Sequence, residues 1–210
     1  MNRGLFVSLE GPDGSGKSTQ MALLGAYLKE RGYSAVVTRE PGGTVISEKI
    51  RELLLDKKYS EMNGRTEALL YAAARAQHVE DVIKPALSRG DIVLCDRFAD
   101  SSVVYQGYGR KLGGKIDVIN EFAAAGCVPD ITFLFKIDPK IGKSRIKADR
   151  RDRLESEQAE FYDEILRGYA ELESRYPGRI VGIDASRSIE AIHEAIKERL
   201  DLTLREKYDL

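Results

Sequence analysis

The fold of this chain is decided by the stretch Gly11-Pro12-Asp13-Gly14-Ser15-Gly16-Lys17-Ser18, which has the spacing G-x-x-x-x-G-K-S. An apolar run at residues 5–9 precedes it, and a helix-like segment follows it. The glycines allow a tight turn whose backbone N–H groups converge on a phosphate, and the lysine adds a positive charge near the β- and γ-phosphates. The serine hydroxyl is placed to ligate Mg²⁺. The stretch therefore predicts a strand–loop–helix unit that binds a nucleoside triphosphate.

The composition is that of an ordinary globular enzyme. Of 210 residues, 42% are apolar and 32% are charged, and the net charge is −1, so nothing indicates a nucleic-acid or membrane partner. No apolar run is long enough to span a membrane, and residues 1–4 leave no room for a signal peptide. Cys95 and Cys127 lack a metal-binding spacing, which favours free thiols and a cytoplasmic location. We expect one domain over residues 1–210.

Short apolar runs alternate with helical patterns along the whole chain. This alternation predicts βαβ units, and hence a five-stranded parallel sheet with helices on both faces. The strands are expected at residues 5–9, 35–38, 92–95, 131–135 and 180–183. The helices are expected at about residues 17–31, 45–55, 66–88 (interrupted or bent at Pro85), 116–125, 158–175 and 189–205.

The third apolar run ends in Asp96-Arg97. A carboxylate at the end of a parallel strand lies at the same sheet edge as the phosphate loop, where Asp96 can reach the metal ion. The alternative is that Asp96 caps a following helix. Arg97, beside the bound phosphates, is expected to hold a second anion.

One segment is unusually basic. Between residues 143 and 153 the chain carries Lys143, Arg145, Lys147, Arg150, Arg151 and Arg153. Phosphoryl transfer needs positive charge over the migrating group, yet the phosphate loop has Gly14 rather than an arginine and supplies only Lys17. We expect the Lys17 side chain to face solvent when the site is empty. We therefore predict a basic lid at about residues 140–157 that closes over the nucleotide; a solvated helix face is the alternative.

The acceptor is expected to be a phosphate. The chain lacks the N-K-x-D segment of a guanine-specific GTPase, and it carries Arg39, Arg51, Arg75 and Arg97 near predicted strand ends or facing helices. Arginines without an obvious general base suit an acceptor whose oxygens are already ionised, as in a nucleoside monophosphate kinase. Two alternatives stay open: a deoxynucleoside kinase that uses Glu10 or Glu40 as a base, and a regulatory ATPase without a small acceptor.

With these residues in view, nearly the whole chain resembles the thymidylate kinase family. The resemblance rests on Thr38-Arg39-Glu40-Pro41-Gly42-Gly43-Thr44, Leu69-Leu70-Tyr71-Ala72-Ala73-Ala74-Arg75, Asp96-Arg97-Phe98 and Ser101-Ser102-Val103-Val104-Tyr105-Gln106-Gly107. It implies that Tyr71 stacks on thymine, that Arg75 hydrogen-bonds its O4 and that Arg97 holds the monophosphate. Gly14 and the basic stretch through Arg153 resemble the bacterial subtype, which carries its catalytic arginine in the lid.

The resemblance implies an ATP-dependent phosphorylation of dTMP to dTDP by a homodimer on a P-loop NTPase-type fold, with Mg²⁺ as cofactor. The implied catalytic residues are Asp13, Lys17, Arg97, Arg150, Arg151 and Arg153. ATP is expected at Gly11, Pro12, Asp13, Gly14, Ser15, Gly16, Lys17, Ser18, Thr19, Arg145, Asp184 and Ala185, and Mg²⁺ at Ser18 and Asp96. Thymidylate is expected at Asp13, Glu40, Arg51, Tyr71, Arg75, Arg97, Ser101, Ser102, Tyr105 and Gln106.

Overall fold

The structure, a computed structural model, describes residues 4–145, 153–154 and 159–208. Its sheet has five parallel strands in the order β2-β3-β1-β4-β5, and this confirms the predicted fold class. The strands are β1 Phe6–Glu10, β2 Ala35–Arg39, β3 Ile92–Asp96, β4 Ile131–Lys136 and β5 Ile180–Asp184. Because helices cover both faces, β1 is buried along its whole length, which explains why apolar and polar residues do not alternate regularly along it.

Helices connect the strands and close both faces of the sheet. In chain order they are α1 Lys17–Glu30, α2 Val45–Leu55, α3 Gly64–His78, α4 Lys84–Ser88, α5 Ala99–Ser102, α6 Lys115–Ala124, α7 Pro139–Arg145, α8 Ala159–Arg175 and α9 Ile189–Tyr208. Side chains cap the first turns of α2, α3 and α9: Thr44 accepts a hydrogen bond from the Ser47 N–H, Asn63 from the Arg65 N–H and Ser188 from the Ala191 N–H.

The long helix expected at residues 66–88 is interrupted. Its π-helical turn, Val79–Ile83, joins α3 to α4 immediately before Pro85. A proline ring clashes with the carbonyl of the preceding turn, and a π turn opens that turn without ending the helix. The helices α5 and α7 and the π-helical segment Val103–Gly109 were not predicted.

Two apolar clusters lie on opposite faces of the sheet. One packs α1 and α9 against the sheet and includes Leu24 and Leu200; the other includes Phe6, Ile83 and Phe98. The parallel register, with Leu9 opposite Asp96, brings the carboxyl ends of β1 and β3 to one edge beside the phosphate loop. Within the described part of the chain, no helix is long and apolar enough to cross a membrane.

Candidate active site

The loop between β1 and α1 has the conformation that its glycines allow. Gly11, Gly14 and Gly16 have positive φ angles of 132°, 75° and 96°. A Cβ atom on Gly11 would lie 2.5 Å from the carbonyl oxygen of Phe135, so no larger residue fits there. The loop therefore packs closely against β4 in a backbone conformation that depends on its glycines.

Lys17 is buried, and this corrects the expectation that it faces solvent in the empty site. Its side chain is 5% exposed, and Nζ donates hydrogen bonds of 3.0 Å to the carbonyl oxygens of Gly11 and Pro12. Burial and the nearby charge of Arg97 lower the pKa of Lys17. The ammonium group is thus held within its own loop, ready to exchange carbonyl partners for phosphate oxygens.

Ser18 and Asp96 form a pair of oxygen donors at the mouth of the loop. The Ser18 hydroxyl donates to Asp96 Oδ2 at 3.4 Å. Asp96 Oδ1 is buried and has no hydrogen-bond partner among the residues that the structure describes. One hydroxyl and one carboxylate suit Mg²⁺, which takes few protein ligands and completes its shell with water and phosphate oxygens.

Arg97 connects the phosphate loop to the residues that follow β3. Its Nη2 donates to Asp13 Oδ1 at 2.8 Å, its Nη1 donates to the Ser101 hydroxyl at 3.1 Å, and its guanidinium lies 5.1 Å from the ring centre of Tyr105. Partial burial works against the charge on Asp13, but Arg97 and Lys17 outweigh it and lower the pKa of Asp13 to about 2. The φ angle of Arg97 is +70°, a conformation that non-glycine residues rarely adopt.

Behind Arg97 lies Glu10, which sequence reasoning considered only as a base for an alternative reaction. Its carboxylate is buried and accepts hydrogen bonds from the Phe98 N–H, the Ser101 hydroxyl and the Tyr169 hydroxyl at 2.8, 2.5 and 3.2 Å. Burial, followed by the charge of Asp100, raises the pKa of Glu10 to about 7. Glu10 therefore fixes the backbone and hydroxyl groups around Arg97.

A second polar network surrounds Arg75 on α3. Its guanidinium is 1% exposed and donates to Glu40 at 2.8 Å, to Asn120 at 2.6 Å and to Ser102 at 3.0 Å. Glu40 also contacts His78 Nδ1 at 3.0 Å. Three of the five N–H groups of the guanidinium are used in this way, and the other two form no hydrogen bond to the residues that the structure describes. Asn120 and His78 were not predicted to take part.

The two described arginines of the basic segment, Arg145 and Arg153, have different surroundings. Arg145 lines the cavity, and its Nη1 is 3.4 Å from the Gly14 carbonyl oxygen. Arg153 is 7% exposed, and it donates to the Leu54 carbonyl oxygen at 3.0 Å and to Glu67 at 2.6 Å. In this conformation its guanidinium is paired with a carboxylate on α3. Arg150 and Arg151 lie outside the described residues.

One cavity of about 970 Å³ brings most of the predicted site together. The predicted residues that line it are Asp13, Gly14, Ser15, Gly16, Lys17, Ser18, Thr19, Glu40, Arg51, Tyr71, Arg75, Asp96, Arg97, Ser101, Ser102, Tyr105, Gln106 and Arg145. Asp184 is exposed, and Ala185 is buried. The connection between β5 and α9 instead contributes Arg187 and Ser188 to the cavity lining, which only the tertiary structure reveals.

Comparison with known proteins assigns the family. The sequence profile described as thymidylate kinase matches residues 9–196. A thymidylate kinase of Exiguobacterium is 51% identical over 203 residues, which cover 96% of this chain and 94% of that protein. A thymidylate kinase of Geobacillus thermodenitrificans is also 51% identical, over 90% of this chain and 86% of that protein.

A solved structure agrees with these matches. The crystal structure of thymidylate kinase from Ehrlichia chaffeensis superposes with a TM-score of 0.79 at 33% identity, and the alignment covers 94% of this chain and 99% of that one. The chain belongs to the thymidylate kinase family.

Proposed function

We infer that this chain transfers the γ-phosphoryl group of ATP to dTMP, giving ADP and dTDP. The family supports this activity, and one observation carries the assignment to this cavity. A single cavity is lined by the phosphate loop, by Arg97, and by Tyr71 and Arg75 on α3. Such an arrangement suits two nucleotides whose phosphates meet at its centre.

The phosphate loop is the proposed donor site. Lys17 would exchange its carbonyl partners for the β- and γ-phosphate oxygens of ATP, while the N–H groups of the loop bind the same phosphates. Ser18 and Asp96 would hold Mg²⁺, a role supported by Asp96 Oδ1, which has no hydrogen-bond partner in the described part of the chain. When bound, Mg²⁺ neutralises charge on the phosphate oxygens.

The acceptor phosphate is proposed to lie against Arg97. A monophosphate is already ionised near neutral pH, so the chain has only to orient it and neutralise its charge. The guanidinium of Arg97 is held by Asp13 and Ser101, which limits its freedom and aligns it with the loop. Preorganised charge of this kind stabilises a transition state because the charged group does not have to reorient during the reaction.

The base is proposed to bind between Tyr71 and Arg75. An aromatic ring provides a stacking surface, and the two remaining N–H groups of Arg75 match the O4 acceptor of thymine. Glu40, Ser102, Tyr105 and Gln106 line the same part of the cavity, and Arg51 is fixed by its hydrogen bond to the Pro41 carbonyl.

The remaining positive charge is proposed to come from a lid at about residues 140–157 of a single domain. Arg145 already borders the phosphate loop, which supports a role at the nucleotide. Arg150 and Arg151 follow it closely in sequence, and Arg153 would have to leave Glu67 to reach the phosphates. Closure of such a lid would also exclude water and limit wasteful hydrolysis of ATP.

We also propose a cytoplasmic homodimer without nucleic-acid or membrane partners. Leu69 on α3 is 58% exposed, and Val118 and Phe122 on the adjacent helix α6 are 68% and 88% exposed. Neighbouring apolar side chains of this size mark an interaction surface. Both cysteines are free, as is typical of a reducing compartment.

A coupled assay with dTMP, dUMP, dCMP and thymidine as acceptors tests the proposed function. We expect dTMP to be preferred over dCMP by roughly 30- to 1000-fold in kcat/KM, because cytosine presents an amino group to a buried guanidinium that has only donors. The preference over dUMP should be on the order of tenfold, since uracil keeps O4. Arg75→Ala should reduce the dTMP/dCMP ratio. Equal wild-type rates with dTMP and dCMP would contradict the assignment of the acceptor.

A further inference from the structure

Glu67 is a buried carboxylate beneath the acceptor half of the cavity. It lies on α3, one helical turn before Tyr71 and two before Arg75, so the three residues share a helix face. Glu67 is 0% exposed, and it does not line the cavity. Any effect of Glu67 on a ligand must therefore pass through its neighbours.

Four hydrogen bonds occupy both oxygens of Glu67. Oε1 accepts from Gln106 Nε2 at 2.9 Å and from Arg110 Nε at 3.2 Å, and Oε2 accepts from Arg110 Nη2 at 3.0 Å and from Arg153 Nη2 at 2.6 Å. Burial disfavours the charged carboxylate, but the hydrogen bonds from Arg110 and Gln106 outweigh it and lower the pKa of Glu67. The group is therefore ionised at neutral pH and acts only as an acceptor.

This fixed charge determines which way the Gln106 amide points. A carboxylate can accept hydrogen bonds but cannot donate them, so the NH₂ end of the amide must face Glu67. The carbonyl Oε1 is then the polar atom that Gln106 can offer to the cavity that it lines. Gln106 is 1% exposed and lies in the π-helical segment Val103–Gly109, so its side chain is closely confined.

We propose that Glu67 is a positioning residue for acceptor specificity, because it holds the Gln106 amide with its oxygen towards the base. The inference rests on the proposed function and deepens it. A carbonyl oxygen accepts a hydrogen bond from the N3–H of an imide such as thymine, whereas cytosine has an unprotonated N3 and would face that oxygen with another acceptor. Arg75 and Gln106 would thus form hydrogen bonds with neighbouring atoms, O4 and N3, on the same edge of the base.

The variant Glu67→Gln tests this role, because an amide at position 67 can either donate or accept. Gln106 can then rotate and present its NH₂ group to the base, so the dTMP/dCMP ratio of kcat/KM should fall about tenfold. Merely structural damage would lower both activities together and leave the ratio unchanged. Arg110→Met is the matched control, since it removes two other hydrogen bonds from Glu67 but keeps the one from Gln106; its ratio should equal that of the wild type.

A double-mutant cycle separates an effect through Gln106 from a direct one. Gln106→Met should also lower the ratio about tenfold, and adding Glu67→Gln should change it by less than about twofold, because the group on which Glu67 acts is already absent. A full additional effect in that background, or an unchanged ratio in either single variant, would overturn the proposal.

Folding is a separate matter from specificity in this cluster. Should Glu67→Gln not fold because Arg110 is left beside a neutral amide, the double variant Glu67→Gln/Arg110→Met removes that charge and should show the same loss of selectivity. Gln106→Met keeps Glu67 and both of its arginines, so it remains informative by itself. A wild-type protein that does not phosphorylate dTMP would overturn the proposed function, whereas a selective wild type with an unchanged Glu67→Gln ratio overturns only this inference.

Discussion

Replacement of Arg97 by glycine and, separately, by alanine distinguishes the function of its side chain from the cost of its backbone conformation. Both variants lose the guanidinium that contacts Asp13 and Ser101, so both should lose a preorganised charge at the acceptor phosphate. Removal of one such donor typically lowers turnover by about 10²- to 10³-fold. We therefore expect kcat/KM for dTMP to fall by that factor in both variants.

Their stabilities should differ, because the backbone of Arg97 has a φ angle of +70°. A side chain at positive φ costs about 1–2 kcal/mol, and glycine avoids this cost but has a more flexible unfolded chain. The net difference should be about 1 kcal/mol in favour of Arg97→Gly, or roughly 2–4 °C in Tm for a chain of this size. Thermal unfolding followed by circular dichroism, without nucleotide, measures this difference.

Ala125 provides the matched control for the backbone effect. It ends α6 with a φ angle of +46°, and it does not line the cavity. Ala125→Gly should raise the free energy of unfolding by a similar amount, about 1 kcal/mol, without a change in activity. Equal stability of Arg97→Ala and Arg97→Gly would show that the backbone at position 97 carries no such cost. A kcat/KM within about threefold of the wild type in either Arg97 variant would contradict a contribution of the guanidinium to catalysis.

Three other substitutions test the remaining parts of the site. Lys17→Ala should lower kcat/KM for ATP at least about 10²-fold, because it removes the positive charge near the phosphates, and near-normal turnover would exclude this role. It should also lower the free energy of unfolding by about 1–3 kcal/mol, because two loop carbonyls lose their donor. Glu10 binds a proton more tightly in the folded state, since its pKa is raised from 4.5 to about 7, so stability should fall as the pH rises across that interval. Glu10→Gln should remove this pH dependence, which amounts to a change of roughly 3 kcal/mol in the free energy of unfolding, measured by denaturant titration at several pH values. An unchanged pH dependence in the variant would mean that other groups cause it. Asp96→Asn should raise the Mg²⁺ concentration for half-maximal activity at least about tenfold, and a chelator should abolish turnover of the wild type; an unaltered Mg²⁺ requirement would remove Asp96 from the metal site.

The strands were the most predictable elements because the central strands β1, β3 and β4 are almost completely buried, which makes their sequences largely apolar. Each of the five strands was located to within a residue or two. The helix α2 was predicted with its observed ends, since Thr44 caps it locally. By contrast, α5 and the segment Val103–Gly109 were not predicted, because they divide their side chains between the cavity, which Ser101, Ser102 and Gln106 line, and a core cluster that includes Val104.

Side-chain orientations were less predictable than positions. The spacing of the phosphate loop identified Lys17 but did not show that the empty loop binds the lysine to its own carbonyls. Likewise, the basic composition around Arg153 indicated a lid, whereas its guanidinium is paired with Glu67, 86 residues away in sequence. A charge pattern records the number of cations in a segment but not which carboxylate each one contacts.

The phosphate loop and the succession of strands and helices along the chain were predictable from sequence, because both follow from interactions between near neighbours. The loop needs only consecutive residues with the right backbone freedom, and the alternating elements need only local apolar patterns. The tertiary structure alone decided how the site is supported. The contact of Glu10 with Tyr169 spans 159 residues, and Arg75 meets Glu40, Ser102 and Asn120 from three separate parts of the chain. Such contacts exist only where packing brings distant side chains together, and no local pattern encodes which of them will meet.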